Sequence, residues 1–220
     1  LAAVLSVSQA TCTPAFFEAI EPAEGDDGSA VESAPFGTAE QALGACLDPI
    51  CFDSSDTLLN TTVQNAQDMV AAAAAPNGSV LMAYRDRSQS TIDSTDTGDI
   101  RFRLFDANGA PMFDDRAVKA PATKIQTTPV VAANAYGFVV VWSDNIAALP
   151  DNAGYAIRAR RFDLSGNAVD AADFVVNTGI TLDQTQPAVT TLANGDYLVV
   201  WKDGSKRLPD NSLGAIRARR

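Results

Sequence analysis

The chain has 220 residues, 46% of them apolar, and no histidine, so the commonest general base and the commonest zinc ligand are both missing. Its net charge of −11 is unevenly placed: residues 1–84 hold eleven acids and no Lys or Arg, and the remaining sixteen acids meet sixteen bases. An acidic chain repels phosphate backbones, which argues against nucleic acid as a partner, and no apolar run is long enough to span a membrane as a helix.

Residues 1–10 read as the apolar core and cleavage site of a secretory signal peptide, with Ser8 and Ala10 as the small residues before the cut. The basic segment that normally precedes such a core is missing, and a short buried strand or helix is the other reading. Residues 11–55 read as an acidic linker; the run from Glu21 to Gly28 has little apolar surface to bury. Its acids lack the alternation of a calcium loop. Thr38 and Gln41 have the spacing of a capping box and predict a short helix over 39–46, with Pro49 beyond it. Three cysteines, Cys12, Cys46 and Cys51, lie in this part. In an oxidising compartment one pair can form a disulfide: Cys46 with Cys51 across a short loop, or Cys12 with Cys46 tying the N-terminus down. A metal site needs more ligands than these three supply.

From residue 56 the chain repeats itself. Tyr84, Trp142 and Trp201 stand 58 and 59 residues apart, and Ile100, Ile157 and Ile216 stand 57 and 59 apart. Gln126 and Pro129 match Gln184 and Pro187, and Leu58-Leu59-Asn60-Thr61 matches Val175-Val176-Asn177-Thr178. Matches at independent markers are a strong repeat signal. Each unit reads as four strands. The first follows the Gln. A turn with Asn77-Gly78 or Asn194-Gly195 leads to the second, and such pairs suit tight hairpins. The second, Phe138 to Trp142, is apolar throughout and predicts burial on both faces. The third alternates, with Ile157 and Ala159 on one side and Arg158 and Arg160 on the other. A turn at Asp106 to Gly109 or Asp163 to Gly166 leads to the fourth.

Four turn-linked strands per roughly 58 residues predict an all-β fold of β-propeller-type blades. The order is one fourth strand at residues 58–61, two complete units, and three strands of another. Three blades do not close a ring of four to eight, so the ring is expected to be incomplete and the chain a fragment of a longer one, with two chains completing one ring as the other solution. The expected organisation is thus a signal-like segment at 1–10, a linker with a helix and cysteines at 11–55, and propeller repeats at 56–220.

Gln184, Pro187, Val189, Tyr197, Val199, Val200, Trp201, Ile216, Ala218 and Arg220 carry a pattern, as do Gln126, Pro129, Val131, Phe138, Val140, Trp142, Ile157, Ala159, Arg161, Phe162 and Asp163. That pattern resembles the repeats of long bacterial extracellular proteins, which read Gln-x-x-Pro-x-Val, Phe-Val-Val-x-Trp and Ile-x-Ala-x-Arg-Phe-Asp. The resemblance covers about residues 56–220. It implies a β-propeller-like architecture, secretion, and a surface or adhesive role, and it brings no catalytic residues. The chain departs from it in the loop between the second and third strands, which in the family is rich in Asp and Gly.

That loop is where a ligand site is expected. Leu-Pro-Asp-Asn occurs twice, at 149–152 and 208–211, and an acid precedes each loop. The candidate set is Asp144, Asp151 and Asn152 in one unit and Asp203, Asp210 and Asn211 in the next. A side-chain set repeated around a ring suits a glycan or calcium; ordinary turn chemistry of Pro, Asp and Asn explains the same residues more simply. The earlier copy has Asp93, Asp96 and Asp99 but no Leu-Pro-Asp-Asn. Trp142 and Trp201 recur at a structural spacing, which favours core packing over sugar stacking. No nucleophile with a base is visible, and no Ser-x-Asp-x-Gly-x-x-Trp box. The expected function is a secreted or cell-surface, non-catalytic binding or structural module, with a glycan or another surface protein as partner and no cofactor. The alternatives are a glycan- or calcium-binding lectin-like module and a fragment of a secreted hydrolase.

Overall fold

A computed structural model describes residues 56, 58–61, 63–88, 98–119, 125–145, 154–212 and 214–220. The signal-like segment, the linker with its helix, the three cysteines, Asp151 and Asn152 lie outside the described residues. Leu58–Arg220 form one unit. The described residues form no helix and eleven strands: β1 (Gln67–Ala74), β2 (Val80–Asp86), β3 (Asp99–Phe105), β4 (Arg116–Ala117), β5 (Gln126–Asn134), β6 (Gly137–Asp144), β7 (Ala156–Asp163), β8 (Phe174–Val175), β9 (Gln184–Thr191), β10 (Tyr197–Asp203) and β11 (Ala215–Arg219). They make three antiparallel sheets ordered β1-β2-β3-β4, β5-β6-β7-β8 and β9-β10-β11. The sheet boundaries fall where the repeat arithmetic puts them.

The second sheet lies between the other two. Phe138, Val140 and Trp142 of β6 pack on Leu81, Ala83, Ile100 and Phe102 of the first sheet. The intervening residues Val139 and Val141, with Ile157 and Ala159 of β7, pack on Val199 and Trp201 of the third. Side chains alternate across a strand, so a strand covered on both faces must be apolar at every position. All eight residues of β6 are buried. In β10 only part of the strand is buried, because one of its faces meets no further sheet among the described residues.

Each sheet opens with the same bulge. Met69, Thr128 and Gln186 take φ of 55°, 49° and 55°, and the register of β1–β2, β5–β6 and β9–β10 shifts at those points. The next residue is Val70, Pro129 or Pro187. A proline cannot donate to a ladder, and a bulge lets it stand inside a strand without leaving a carbonyl opposite it unpaired.

The Asn-Gly hairpins differ in detail from the expected ones. Only the glycine takes positive φ, at Gly78 (85°) and Gly195 (86°). The Gly78 and Gly195 amides donate to the carbonyls of Ala75 and Leu192 at 2.9 and 2.8 Å. Gly109 and Gly166 repeat this with Asp106 and Asp163. All four are three-residue turns ending on a left-handed glycine. The β5–β6 turn is tighter, with Asn134 paired to Gly137.

Residues 58–61, expected as a strand, join no ladder among the described residues. They are held instead from the first sheet: Arg103 Nη1 donates to the Leu59 carbonyl at 2.5 Å, and the Thr61 amide and hydroxyl donate to Asp115 Oδ2 at 2.6 and 2.9 Å.

Gly137 has φ of 153°, and a Cβ there would stand 2.0 Å from the Phe162 carbonyl oxygen. Gly137→Ala should therefore cost about 3 kcal/mol or more, because backbone rather than a movable side chain blocks the methyl. Urea denaturation of the two proteins checks this; a loss under about 1 kcal/mol contradicts the packing described.

Candidate functional site

The acids at the ends of the second strands are buried in polar staples. Asp86 accepts from Gln67 Nε2 at 3.3 Å and from the Ser88 amide and hydroxyl at 2.8 Å each, with Arg101 Nε 3.6 Å away. Asp203 repeats the set: Gln184 Nε2 at 3.3 Å, the Ser205 amide at 2.9 Å, the Ser205 hydroxyl at 2.8 Å, and Arg217 in a direct ion pair. Asp144 takes another form. Its Oδ2 accepts from Lys119 Nζ at 2.9 Å and Trp142 Nε1 at 3.1 Å, with Arg158 Nε at 3.9 Å. Arg158 itself is paired to Asp173.

Sequence reasoning grouped Asp144 and Asp203 with the loop residues as one ligand set. The structure places their carboxylates inward, fully and 99% buried, Asp203 against Arg217 of its own sheet and Asp144 against Lys119, which follows β4 of the first sheet. Asp210 and Asn211 are exposed on the loop after β10. There Asp210 Oδ1 accepts from the Ser212 amide at 2.9 Å and the Ser212 hydroxyl at 2.5 Å, an ordinary Asx turn that holds its carboxyl below the usual range. The Asp203 and Asp210 carboxylates hold different partners, but Arg217 links the two residues: it pairs with the Asp203 carboxylate, and its Nη2 donates to the Arg207 carbonyl at 2.5 Å and the Asp210 carbonyl at 3.4 Å. Among the described residues, no three acidic or sulfur side chains gather where they could hold a metal ion.

Burial raises the Asp203 pKa, but bonds from Ser205, Arg217 and Gln184 outweigh it and leave the pKa lowered. Asp170 is likewise lowered, first by its hydrogen bond from Arg161.

A second place was not legible as a site. A cavity of about 520 Å³ lies between the second and third sheets. Its walls include Ala159, Arg161, Phe174, Asp196, Tyr197 and Arg220. The matching space between the first and second sheets is filled: Phe102 and Leu104 stand there at the repeat positions of Ala159 and Arg161, and the Phe102 and Phe162 rings meet at 4.5 Å. The second copy shares Ala and Arg at these positions with Ala218 and Arg220 of the third, so it is the first copy that departs and fills the space. The cavity's signal in the sequence is the exchange of Phe for Ala and Leu for Arg at matched positions.

The polar groups around it are ordered. Arg161 Nη2 meets Asp170 at 2.6 Å, Arg220 Nε meets Asp196 at 2.8 Å, and the Tyr197 hydroxyl donates to the Gly137 carbonyl at 3.1 Å. Burial pushes the Tyr197 hydroxyl up to about 12, so it stays a neutral donor at physiological pH. Phe174 is 42% exposed at the rim. Such a cleft has an apolar floor, an exposed ring and fixed polar groups, the ingredients of a small-molecule site.

The described residues thus form an all-β unit of three stacked antiparallel sheets. No family model matches it, and no curated protein does. Among solved structures, an endo-arabinase from Bacteroides thetaiotaomicron aligns at 13% identity with a TM-score of 0.42. The alignment covers 69% of this chain and 55% of that one.

Asp203→Asn should destabilise the protein by about 3 kcal/mol, because it strands a largely buried Arg217. The double variant Asp203→Asn/Arg217→Met should recover part of that loss, and thermal melts of the three proteins check the order. The pH sign follows from the lowered pKa values of Asp203 and Asp170. Their stabilisation is complete above the unfolded carboxylate value of about 4 and is lost as pH falls through the lower folded values. Wild type should therefore lose stability below about pH 4, and the Asp203→Asn variant should lose less over the same range.

Proposed function

We propose that the protein is a secreted or cell-surface binding module of β-propeller type that performs no catalysis of its own. The support for the propeller is the repeated way its sheets are clamped. Arg103, Arg160 and Arg219, at one repeat position, donate to the carbonyls of Leu59, Val118 and Val176 at 2.5, 2.7 and 2.8 Å. Those acceptors also share one repeat position, and each precedes the sheet that holds the arginine. A constant step from sheet to sheet is what radial repetition produces. Secretion rests on the signal-like residues 1–10 and on the acidic first third of the chain.

The ligand class that suits the cleft between the second and third sheets is a carbohydrate. Phe174 offers a ring face, and Arg161, Asp196 and Arg220 offer donors and acceptors at the mouth. Calorimetric titration with neutral and acidic oligosaccharides is the test. Binding that Phe174→Ala or Arg161→Ala weakens about tenfold supports this reading; no binding by any sugar, or binding indifferent to both variants, sinks it. The loop acids carry the calcium alternative. Asp144 and Asp203 face inward, which leaves Asp210 as the described loop acid open to an ion. Melting temperature is therefore expected to be the same in calcium and in chelator, and a rise of several degrees with calcium would favour the alternative instead.

A further inference from the structure

Three Asn-Gly pairs stand in turns of this unit: Asn77-Gly78, Asn108-Gly109 and Asn194-Gly195. Such a pair has a chemistry of its own. The glycine amide nitrogen can attack the asparagine carboxamide carbon, because a glycine has no side chain to hinder the approach or restrict its backbone. A bond forms between that nitrogen and Cγ, and the Cγ–Nδ2 bond breaks. The proton of the glycine amide passes through water to Nδ2, which leaves as ammonia. Water then opens the cyclic imide at one carbonyl or the other and leaves isoaspartate or aspartate. The net change is one water in and one ammonia out, with no oxidant or metal taking part.

All three asparagines are exposed, and the three glycine amides are held alike, donating to the carbonyls of Ala75, Asp106 and Leu192 at 2.9, 3.0 and 2.8 Å. The carboxamides separate them. Asn77 Oδ1 accepts from the Ser79 amide at 3.1 Å and the Ser79 hydroxyl at 2.7 Å. Asn194 Oδ1 accepts from the Asp196 amide at 3.2 Å, and its Nδ2 donates to Asp196 Oδ2 at 2.8 Å. Asn108 is held by its backbone, whose amide donates to Asp106 Oδ1 at 2.9 Å; its carboxamide bonds to nothing among the described residues. The glycines fall in the same order. A Cβ on Gly78 would meet the Ala107 Cβ at 2.7 Å. Gly195 has room for one, but its carbonyl accepts from Asn134 Nδ2 at 2.8 Å. Gly109 has nothing within 4 Å of that point.

We propose that Asn108 is the preferred site of spontaneous deamidation among these pairs, a self-modification of the turn between β3 and β4. Ring closure needs the carboxamide carbon to swing over the glycine nitrogen, which moves both residues out of the turn. At 77 and 194 that motion breaks side-chain bonds and displaces a glycine that is packed or tied. At 108 only the turn itself has to open. The product places a carboxylate two residues from Asp106, whose own carboxylate already accepts the Asn108 and Ala110 amides at 2.9 and 2.8 Å. Isoaspartate also lengthens the main chain within the turn. The reaction belongs to the turn alone and holds whatever the cleft binds.

Ageing of the full chain in mildly alkaline buffer, followed by peptide mapping with fragmentation, tests it. In the folded chain Asn108 should deamidate about fivefold faster than Asn77 or Asn194, the ratio that one side-chain hydrogen bond sets. In concentrated urea the three pairs should react at similar rates, because the bonds that separate them are gone. Ser79→Ala removes the hydroxyl that Asn77 holds and should speed reaction at Asn77 in the folded chain while leaving Asn108 as it was. Folded-state rates at Asn77 or Asn194 that match Asn108 overturn the proposal. So does a preference for Asn108 that persists in urea, which makes it a property of local sequence. A folded chain that spares Asn108 while the unfolded chain reacts overturns it too, as does a Ser79→Ala variant whose Asn77 reacts no faster.

Discussion

A sheet pressed between two others must be apolar on both faces, and every polar group it owns has to be dealt with at its ends. β6 shows the consequence. Its eight residues are all buried, and the first polar side chain on the Trp142 face is Asp144, where the strand runs out. A carboxylate placed there has lost its water and needs cations, which Lys119 and Arg158 provide. The same obligation falls on Asp86 and Asp203, and each time a neighbouring strand supplies an arginine. The charge at the strand end is thus a requirement of stacking before it is anything else.

The arginines of the third strands divide this labour by position. Those at 101, 158 and 217 turn to the acid of their own sheet. Those two residues on, at 103, 160 and 219, reach the preceding sheet or segment and cap one backbone carbonyl. An arginine is suited to this because its stem covers apolar surface while its planar head keeps several donors in fixed geometry. Apolar contact supplies most of the attraction between sheets but does not set their spacing or slide. A hydrogen bond to a single carbonyl does, since it is made at one offset only.

Much of this was legible in the residues. The all-apolar run at 138–142 gave a doubly buried strand, the alternation at 157–160 separated core from charge, and the Gln-to-Asn arithmetic placed the sheet boundaries. The inward turn of Asp144 and Asp203 was legible too, though it was not read: Asp144 has the parity of Trp142, and β6–β7 pairing sets Arg158 opposite Trp142. Acid and base therefore share one face, two positions apart. What could not be read was conformation at ordinary residues. Met69, Thr128 and Gln186 carry no composition signal for positive φ, and only Pro129 and Pro187 inside strands hinted at the bulges. The loss of pairing at 58–61 was equally hidden, because a strand needs a neighbour that local sequence does not name.

The cleft lies where two copies of the repeat agree, and the filled space lies where one copy departs. Gln184 with Gln126 and Trp201 with Trp142 keep their identity and are occupied in strand ends and cores. Ala159 and Arg161 keep theirs too, with Ala218 and Arg220 in the next copy. The first copy differs, and there Phe102 and Leu104 fill the matching space with core. The room between two sheets is thus set by the residues two and four beyond the isoleucine of the third strand: a small residue and a guanidinium leave it open, an aromatic and an aliphatic side chain close it. Closing it adds buried apolar contact, so the open form gives up packing that the first copy shows the same backbone can make.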